Sequence, residues 1–379
     1  MSAKTNVSAH KSVKSSWWKR LLKYGLYMGL VVIVPCGLFL GALVLKHKRI
    51  VAAKPGKLPT KVQPTELGRR VNPFIGTGGT PWVCGNNFPG AMVPFGMVRL
   101  GPETVSMLIQ KRALNTSGYY YGDDQVLGFS HTRLNGTGAT DGGHFLVIPA
   151  IEPIRSEAIH KAQTTAFSHS DENASPGYYS VKLLQPGILV ELTATHRVGI
   201  HRYTFEPNRA PHLRINVMNA LGNRPSSEGQ VRVLPKAREV EGSVRTFGTF
   251  GARYGGLKVY MVARFDQPFT SFSTWRDNVV SANVPTAEDG KVGVDVEFTK
   301  ADQPQTITLK VAISHVSIEN ARANLEAEAA TKTFDQLLAE AQHAWDQKLS
   351  LIKVHGGTDQ QQTPTEAWRR VPPRPPVGR

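Results

Sequence analysis

The sequence predicts a mainly β protein: an antiparallel β-sandwich with a C-terminal linker helix, preceded by one transmembrane helix. Three observations support this fold class. Short segments of alternating apolar residues follow one another, with turn-forming clusters between them. An uncharged run of membrane-spanning length lies near the N-terminus. One apolar stripe at helical spacing lies near the C-terminus.

The net charge of +16 is concentrated at the two ends of the chain. Residues 1–62 hold twelve Lys or Arg and no Asp or Glu, and residues 364–379 carry a charge of +3. The intervening residues 63–363 therefore carry only +1. A nearly neutral body with basic ends does not have the charge pattern of a nucleic-acid-binding protein, so we expect no nucleic-acid partner.

The membrane segment is predicted over residues 25–45, which read GLYMGLVVIVPCGLFLGALVL and carry no charge. This length is sufficient to cross the ~30 Å hydrocarbon layer as a helix. Trp17, Trp18 and Tyr24 lie at its leading border, as interfacial aromatics do. A cleaved signal peptide is the alternative, but no small-residue cleavage site follows the run.

The flanking charges do not decide the orientation, because five Lys or Arg lie in residues 11–24 and six in 46–61. Residues 1–24 are predicted to be a basic cytoplasmic tail, and residues 46–66 an extended linker rich in Pro and Lys. The body would then lie on the periplasmic or extracellular side of the membrane.

The β-sandwich is predicted over residues 67–318. Its apolar residues alternate in four clear segments, and the first is interrupted near Gly199, which predicts two strands there. The sequence lacks the alternation of strands with helices that would indicate a parallel sheet. The predicted inward-facing residues are Val190, Leu192, Ala194, Ile200, Tyr203 and Phe205; Val259, Met261, Ala263 and Phe265; Val292, Val294, Val296 and Phe298; and Ile307, Leu309, Val311 and Ile313.

A linker helix is predicted over residues 319–352. Leu325 is a candidate for its start, and a stripe at helical spacing defines its buried face: Phe334, Leu337, Leu338, Ala341, Trp345 and Leu349. Residues 353–379 are predicted to be a truncated or disordered tail, because the end of the chain is rich in Pro and Arg and lacks periodicity. The two cysteines, Cys36 and Cys84, are not expected to meet.

Residues 71–101 (VNPFIGTGGTPWVCGNNFPGAMVPFGMVRLG) combine many glycines and prolines with apolar and aromatic residues. A flexible linker would be polar, and a core strand would not contain so many residues that break regular structure. This composition favours a series of tight bends packed against a scaffold, as binding loops are.

Three stretches together resemble the N-terminal domain of glycoside hydrolase family 92, the calcium-dependent exo-α-mannosidases. They are VNPFIGTGG…FPGAMVPFGMVRLGPET (71–104), SGYYYGDDQVLGFSHTRLNGTGATDGGHFLVIP (117–149) and SHSDENASPGYYSVKLLQPGILVELTATHRVGIHRYTF (168–205). The segment from Val316 to about residue 363 resembles the family's exit from that domain.

The resemblance implies a β-sandwich followed by an (α/α)6 barrel, with inverting hydrolysis of mannose-containing glycans at a site between them. In the family, the catalytic carboxylates and calcium ligands come mainly from the barrel. We therefore expect no catalytic residue, no metal ligand and no cofactor in this chain, which would lack catalysis alone. A separately encoded catalytic barrel is a further partner to consider. The alternative is a stand-alone, membrane-anchored carbohydrate-binding module.

Seven side chains are candidates for contact with sugar, because they offer an aromatic face or mixed hydrogen-bond donors and acceptors within Gly-rich loops. A packed structural role is the alternative for Trp82 and equally for His131. A metal site built from His131, Asp141 and His144 is disfavoured by their loose, Gly-rich spacing. The candidates are Trp82, Asn87, Arg112, Asn115, His131, Arg133 and Asp141.

Two features of the loops do not match what the family's activity would require. Many family members have His-Thr-His where this chain has His131-Thr132-Arg133, which puts the usual sugar contacts in doubt. The adjacent carboxylates Asp123–Asp124 and Asp171–Glu172 lie in turn-like stretches. Neighbouring side chains on a turn diverge, so neither pair is expected to form the separated acid and base of an inverting glycosidase.

Overall fold

The computed structural model describes residues 14–57, 62–80, 86–105, 116–156 and 163–352. The chain divides into two compact units, residues 1–52 and residues 53–379.

The first unit contains one long helix, α1, which spans Lys14–Ala52. It includes the predicted membrane segment and extends beyond it at both ends. Trp17–Ala52 is long and apolar enough to cross a membrane, judged by length and composition alone, and a signal sequence near the N-terminus meets the same criteria. Pro35 lies within the helix, and the neighbouring Cys36 is an exposed free thiol.

The second unit is built from two antiparallel sheets, which confirms the predicted mainly β class. The strands, in chain order, are β1 (Gly101–Val105), β2 (Gln125–Ser130), β3 (Leu146–Ala150), β4 (Thr165–Ala166), β5 (Glu172–Ser175), β6 (Tyr178–Lys182), β7 (Leu189–Ala194), β8 (Val198–Phe205), β9 (His212–Asn216), β10 (Ser226–Leu234), β11 (Glu239–Thr246), β12 (Leu257–Phe265), β13 (Ser271–Arg276), β14 (Val279–Ala282), β15 (Thr286–Glu288), β16 (Val292–Glu297) and β17 (Gln305–Ser314).

The first sheet has the order β1-β2-β3-β9-β16-β13-β14, with the short β4 also paired to β2. The second sheet has nine strands in the order β15-β10-β11-β12-β17-β8-β7-β6-β5. Neighbours such as β12 and β17 are far apart in sequence, so the topology brings together loops from distant parts of the chain.

The main core lies between the two sheets and explains the alternating pattern. The predicted inward residues of β12, β16 and β17 all belong to this core. Strands β7 and β8 form a paired ladder, as the predicted interruption required, but the break falls at residues 195–197 and Gly199 lies inside β8. Ile200 points away from the main core and joins a second cluster on the opposite face of the nine-stranded sheet.

Two helices, rather than one, cover that opposite face. Helix α3 spans Ile318–Glu328 and helix α4 spans Phe334–Leu349, and each begins at a hydroxyl-bearing N-cap residue. Thr333 and Gln336 form a reciprocal capping box that starts α4. The predicted stripe of α4 is buried except at Trp345, which is partly buried and donates its indole N–H to the Met92 carbonyl at 2.6 Å.

The segment that follows α1 is not an isolated spacer in the part of it that the structure describes. The Gly56 amide donates to the carbonyls of His169 (3.0 Å) and Glu172 (2.9 Å). A β-carbon at Gly56 would lie 2.1 Å from the Ser170 carbonyl oxygen, so only glycine fits there. Further along, Val62 is buried among residues of the second cluster, and the short helix α2 spans Glu66–Arg69.

Candidate functional site

The candidate site is the loop cluster, which we define as residues 72–80, 86–100 and 131–143. These loops precede β1 or connect β2 to β3, so they meet at one end of the first sheet. Trp82, Arg112 and Asn115 were predicted to contact sugar, and all three lie outside the described residues.

The first loop is a series of tight bends, as its composition predicted. The Thr77 amide and hydroxyl both donate to the Phe74 carbonyl, at 3.1 and 2.7 Å. Gly76 takes a positive φ of 79°, which glycine adopts without strain. Its carbonyl accepts the Asn87 amide at 3.1 Å, and the Asn87 side chain donates to the Ile75 carbonyl at 3.3 Å. Asn87, a predicted sugar contact, therefore also holds this bend.

Asn86 joins the loops and was missed by the sequence analysis. Its side-chain oxygen accepts the amide (3.1 Å) and hydroxyl (2.9 Å) of Thr116. Its carbonyl accepts the Ser117 hydroxyl (2.5 Å) and the Gly136 amide (2.9 Å). Asn86 has a φ of 53°, a left-handed conformation that asparagine tolerates better than most residues. The Asn-Asn pair in a Gly-rich stretch is a sequence signal that could have indicated such a turn.

Arg133 lies beneath the loops and is almost fully buried. Its guanidinium donates to the carbonyls of Gly101 (2.7 Å), Pro102 (2.9 Å) and Ser117 (3.1 Å). It also bonds both the carbonyl and the hydroxyl of Ser130, and it lies 4.6 Å from the Phe88 ring centroid. Burial lowers the pKa of Arg133 to about 10. These contacts leave the guanidinium facing protein carbonyls rather than the solvent.

His131 is fully buried and forms a hydrogen-bonded chain with two residues of β8. Its Nδ1 lies 3.0 Å from the Phe145 carbonyl oxygen and its Nε2 lies 2.9 Å from His201 Nε2. His201 Nδ1 lies 2.7 Å from the Tyr203 hydroxyl. A carbonyl can only accept, so His131 carries its proton on Nδ1, His201 donates from Nε2, and Tyr203 donates to His201.

Burial disfavours a charge on either ring, so this chain of hydrogen bonds is formed with both rings neutral. Burial lowers the pKa of His131 to about 4 and holds that of His201 well below its ordinary value. His144 lies in a comparable position, between the hydroxyls of Thr132 (2.5 Å) and Thr246 (2.8 Å). Burial lowers the pKa of His144 to about 3. The geometry thus favours the structural alternative for His131.

Asp141 caps a neighbouring turn. Its Oδ2 accepts the Phe250 amide at 2.8 Å and its Oδ1 accepts the Gly251 amide at 3.0 Å. The exposed part of the same loop is residues 135–138. There, Asn135 accepts the Phe88 amide at 3.2 Å through its side-chain oxygen. Residues 135–138 therefore present amide, hydroxyl and backbone groups on a rigid support, whereas the first two loops of the cluster also expose the apolar side chains of Ile75, Phe95 and Met97.

In each of the two carboxylate pairs, one member is buried: Asp123 in the first pair and Glu172 in the second. Asp123 is buried, accepts the Thr104 hydroxyl at 2.7 Å, and has its pKa raised by burial to about 7. Glu172 is fully buried and accepts the hydroxyls of Tyr119 (2.9 Å) and Tyr179 (2.7 Å). Both residues hold the scaffold together, which their turn-like sequence context did not indicate.

The described residues contain no group of three His, Cys, Asp or Glu side chains that could hold a metal ion. The calcium implied by the family resemblance therefore has no cluster of three such side chains to hold it among the described residues.

The sequence matches the Glycosyl hydrolase family 92 N-terminal domain over residues 70–314 and the Glycosyl hydrolase family 92 catalytic domain over residues 320–365. An uncharacterized secreted glycosidase of Arthroderma benhamiae is 24% identical over 321 residues, which are 76% of this chain and 39% of that protein.

Among solved structures, a family GH92 α-mannosidase from Bacteroides thetaiotaomicron is 28% identical with a TM-score of 0.68, covering 77% of this chain and 39% of its own. The same enzyme has been solved in complex with mannoimidazole. A family GH92 inverting mannosidase from that organism, 23% identical, shares the fold with a TM-score of 0.67, over 80% of this chain and 38% of its own. This chain thus spans about two fifths of the length of these relatives.

The buried histidines predict a pH-dependent stability. Unfolded His144 binds a proton near pH 6.5, whereas folded His144 stays neutral down to about pH 3. The unfolded state therefore binds more protons in this window, so the free energy of unfolding should fall as the pH falls. In His144→Gln, the free energy of unfolding should fall less steeply between about pH 7 and 5, which is above the range in which most carboxylates titrate.

Urea titrations of the detergent-solubilised chain at several pH values would measure this slope. His343→Gln, at an exposed position of α4, is the matched control and should keep the slope of the unmodified chain. An unchanged slope in His144→Gln would contradict the role assigned to the buried ring.

Arg133→Lys tests whether Arg133 is structural. Lysine cannot reproduce a planar fork that bonds several carbonyls, so the free energy of unfolding should fall by about 3 kcal/mol. Arg276→Lys, at an exposed position, should change it by less than about 0.5 kcal/mol. Urea unfolding without ligand provides the measurement. Normal stability combined with lost mannoside binding would instead support the predicted sugar contact.

Proposed function

The chain belongs to glycosyl hydrolase family 92, and from this premise we propose that its body is the sugar-facing half of a mannosidase-like glycosidase. Its substrate class would be mannose-containing glycans. The observation that supports this proposal is the loop cluster: rigid bends, fixed by Arg133 and Asn86, present amide and hydroxyl groups at residues 135–138. Sugar hydroxyls need such a mixture of donors and acceptors.

Each predicted sugar contact keeps a specific place in this proposal. Asn87 and Asp141 lie partly exposed in the loop cluster, so they remain candidates for direct contact. His131 and Arg133 are buried, so they would act by positioning the loops. Trp82, Arg112 and Asn115 are proposed as direct contacts from the sequence alone.

The acid and base of hydrolysis are proposed to come from the barrel part of the family's fold. Inverting hydrolysis requires two carboxyl groups ~6.5–9.5 Å apart with a water between them. Asp123 and Glu172 are enclosed in the scaffold and bonded to Thr104, Tyr119 and Tyr179. Residues 320–365 match the catalytic domain of the family, so α3 and α4 would lead from this half towards the barrel. Calcium would likewise be held by the barrel.

The function is tested by measuring binding and hydrolysis separately with the full chain in detergent micelles. Methyl α-mannoside should bind in the millimolar range, seen as broadened ligand signals by NMR, and no mannose should be released. Galactoside is the control ligand and should not bind. If no mannoside bound at millimolar concentration, the sugar-facing role would fail. Hydrolysis by the chain alone would contradict the placement of the acid and base.

A stand-alone binding module and a half-enzyme differ in one further measurement. A barrel polypeptide from a family relative, added with calcium, should restore mannose release if this chain supplies half of a site. Binding that persists without any restored hydrolysis would favour the carbohydrate-binding module.

The body is proposed to lie outside the cytosol, anchored by residues 25–45 with residues 1–24 inside. The length and composition of α1 and the secreted description of the Arthroderma relative support this proposal. Cysteines introduced at Lys4 or Lys300, in a chain whose two native cysteines are changed to serine, would report the orientation. A membrane-impermeant maleimide should label position 300 in intact cells and position 4 only after permeabilisation. The reverse pattern would invert the topology.

A further inference from the structure

The turn between β11 and β12 exposes aromatic side chains beside the loop cluster. It includes a single helical turn, Gly251–Tyr254, that ends at Gly255 in a left-handed conformation. The Tyr254 side chain is 85% exposed and Phe250 is 42% exposed. Large aromatic side chains left this exposed on a surface point to an interaction, because burying them would be favourable.

The turn is held in a fixed place against Thr140 and Asp141 of the loop cluster. Asp141 accepts two of its amides, those of Phe250 and Gly251. The Thr249 amide donates to the Thr140 carbonyl at 2.9 Å. A β-carbon at Gly248 would lie 2.1 Å from Asp141 Oδ1, so the close approach of the two loops requires glycine there. The turn between β11 and β12, called the aromatic turn, and residues 131–143, called the sugar loop, therefore form one rigid surface.

The chemistry of this surface suits a carbohydrate longer than one unit. Aromatic faces pack on the C–H side of a pyranose, and amide and hydroxyl groups bond its hydroxyls. The Arg253 guanidinium lies 5.4 Å from the Phe250 ring centroid, so it offers a further hydrogen-bond donor beside this exposed ring. Tyr254 adds a phenol that can both donate and accept.

We propose that Phe250 and Tyr254 form a second sugar-binding platform, which contacts a mannose unit of the glycan other than the one bound at the loop cluster. This inference rests on the proposed function, because it takes the loop cluster as the first sugar site. A glycan is favoured over a packed polypeptide because the turn is bonded directly to the sugar loop through Asp141. The platform would make longer α-mannosides bind better than a monosaccharide.

The test compares two probes on the full chain in detergent micelles: methyl α-mannoside and α-linked mannopentaose. Tyr254→Ala should weaken binding of the pentaose by about 5-fold, the expected loss for one aromatic contact. Binding of methyl α-mannoside should stay within about 2-fold, because the loop cluster is untouched. Tyr254→Phe should keep pentaose affinity, because it keeps the aromatic face. Val279→Ala, an exposed apolar position on β14, is the matched control and should change neither affinity.

The outcomes separate this inference from the proposed function. Wild-type binding of both probes with an unchanged pentaose affinity in Tyr254→Ala would overturn the platform alone. Equal weakening of both probes would place Tyr254 in the first sugar site and also overturn the second platform. No binding of either probe to the unmodified chain would overturn the proposed function itself. Thermal unfolding of each variant confirms that the exposed substitutions leave the fold intact.

Discussion

The buried guanidinium of Arg133 is the contact on which the loop cluster depends. It bonds carbonyls from the start of β1, the end of β2 and the loop at Ser117, so it fixes three chain segments relative to one another. A charge removed from water is costly unless it is paired and hydrogen-bonded. Here backbone carbonyls, with the Phe88 ring beside them, take the place of water. Because so many donors are used at once, the loops cannot shift individually without leaving this charge unsatisfied.

A second buried network joins the loop cluster to the nine-stranded sheet. The bond between His131 and His201 crosses from the loop after β2 to β8, in the opposite sheet. The loops are thus fixed to both layers of the sandwich, to one by Arg133 and to the other by His131. Polar networks in a core are stable only when every member has a partner. The neutral tautomers derived for these rings satisfy that condition, which explains why buried histidines occur where apolar residues would otherwise pack.

The sequence was sufficient for the fold but not for the roles of the loop residues. Alternation identified the inward faces of β12, β16 and β17, because a strand with one buried face has a strict period of two. A single helix was predicted where two occur, although the capping box formed by Thr333 and Gln336 marks a second helix start. Burial at Arg133 and His131 could not be predicted, because it depends on strands distant in sequence. Asn86 was missed for the same reason: its partners lie near residues 116 and 136.

If the site is formed between two domains, as we propose, the half without the reacting groups meets a particular demand. It must hold its binding groups in position before the other half is present. If the loops were mobile, the entropy lost in ordering them on binding would weaken the affinity for the ligand. The loop cluster meets this demand through internal contacts alone: the Asn86 bonds, the Arg133 fork and the Asp141 cap all lie within this unit. The groups exposed at residues 135–138 are polar, and Phe95 adds an exposed aromatic side chain to the same cluster. Under the proposed function, this rigidity would let the loop cluster determine where the sugar lies.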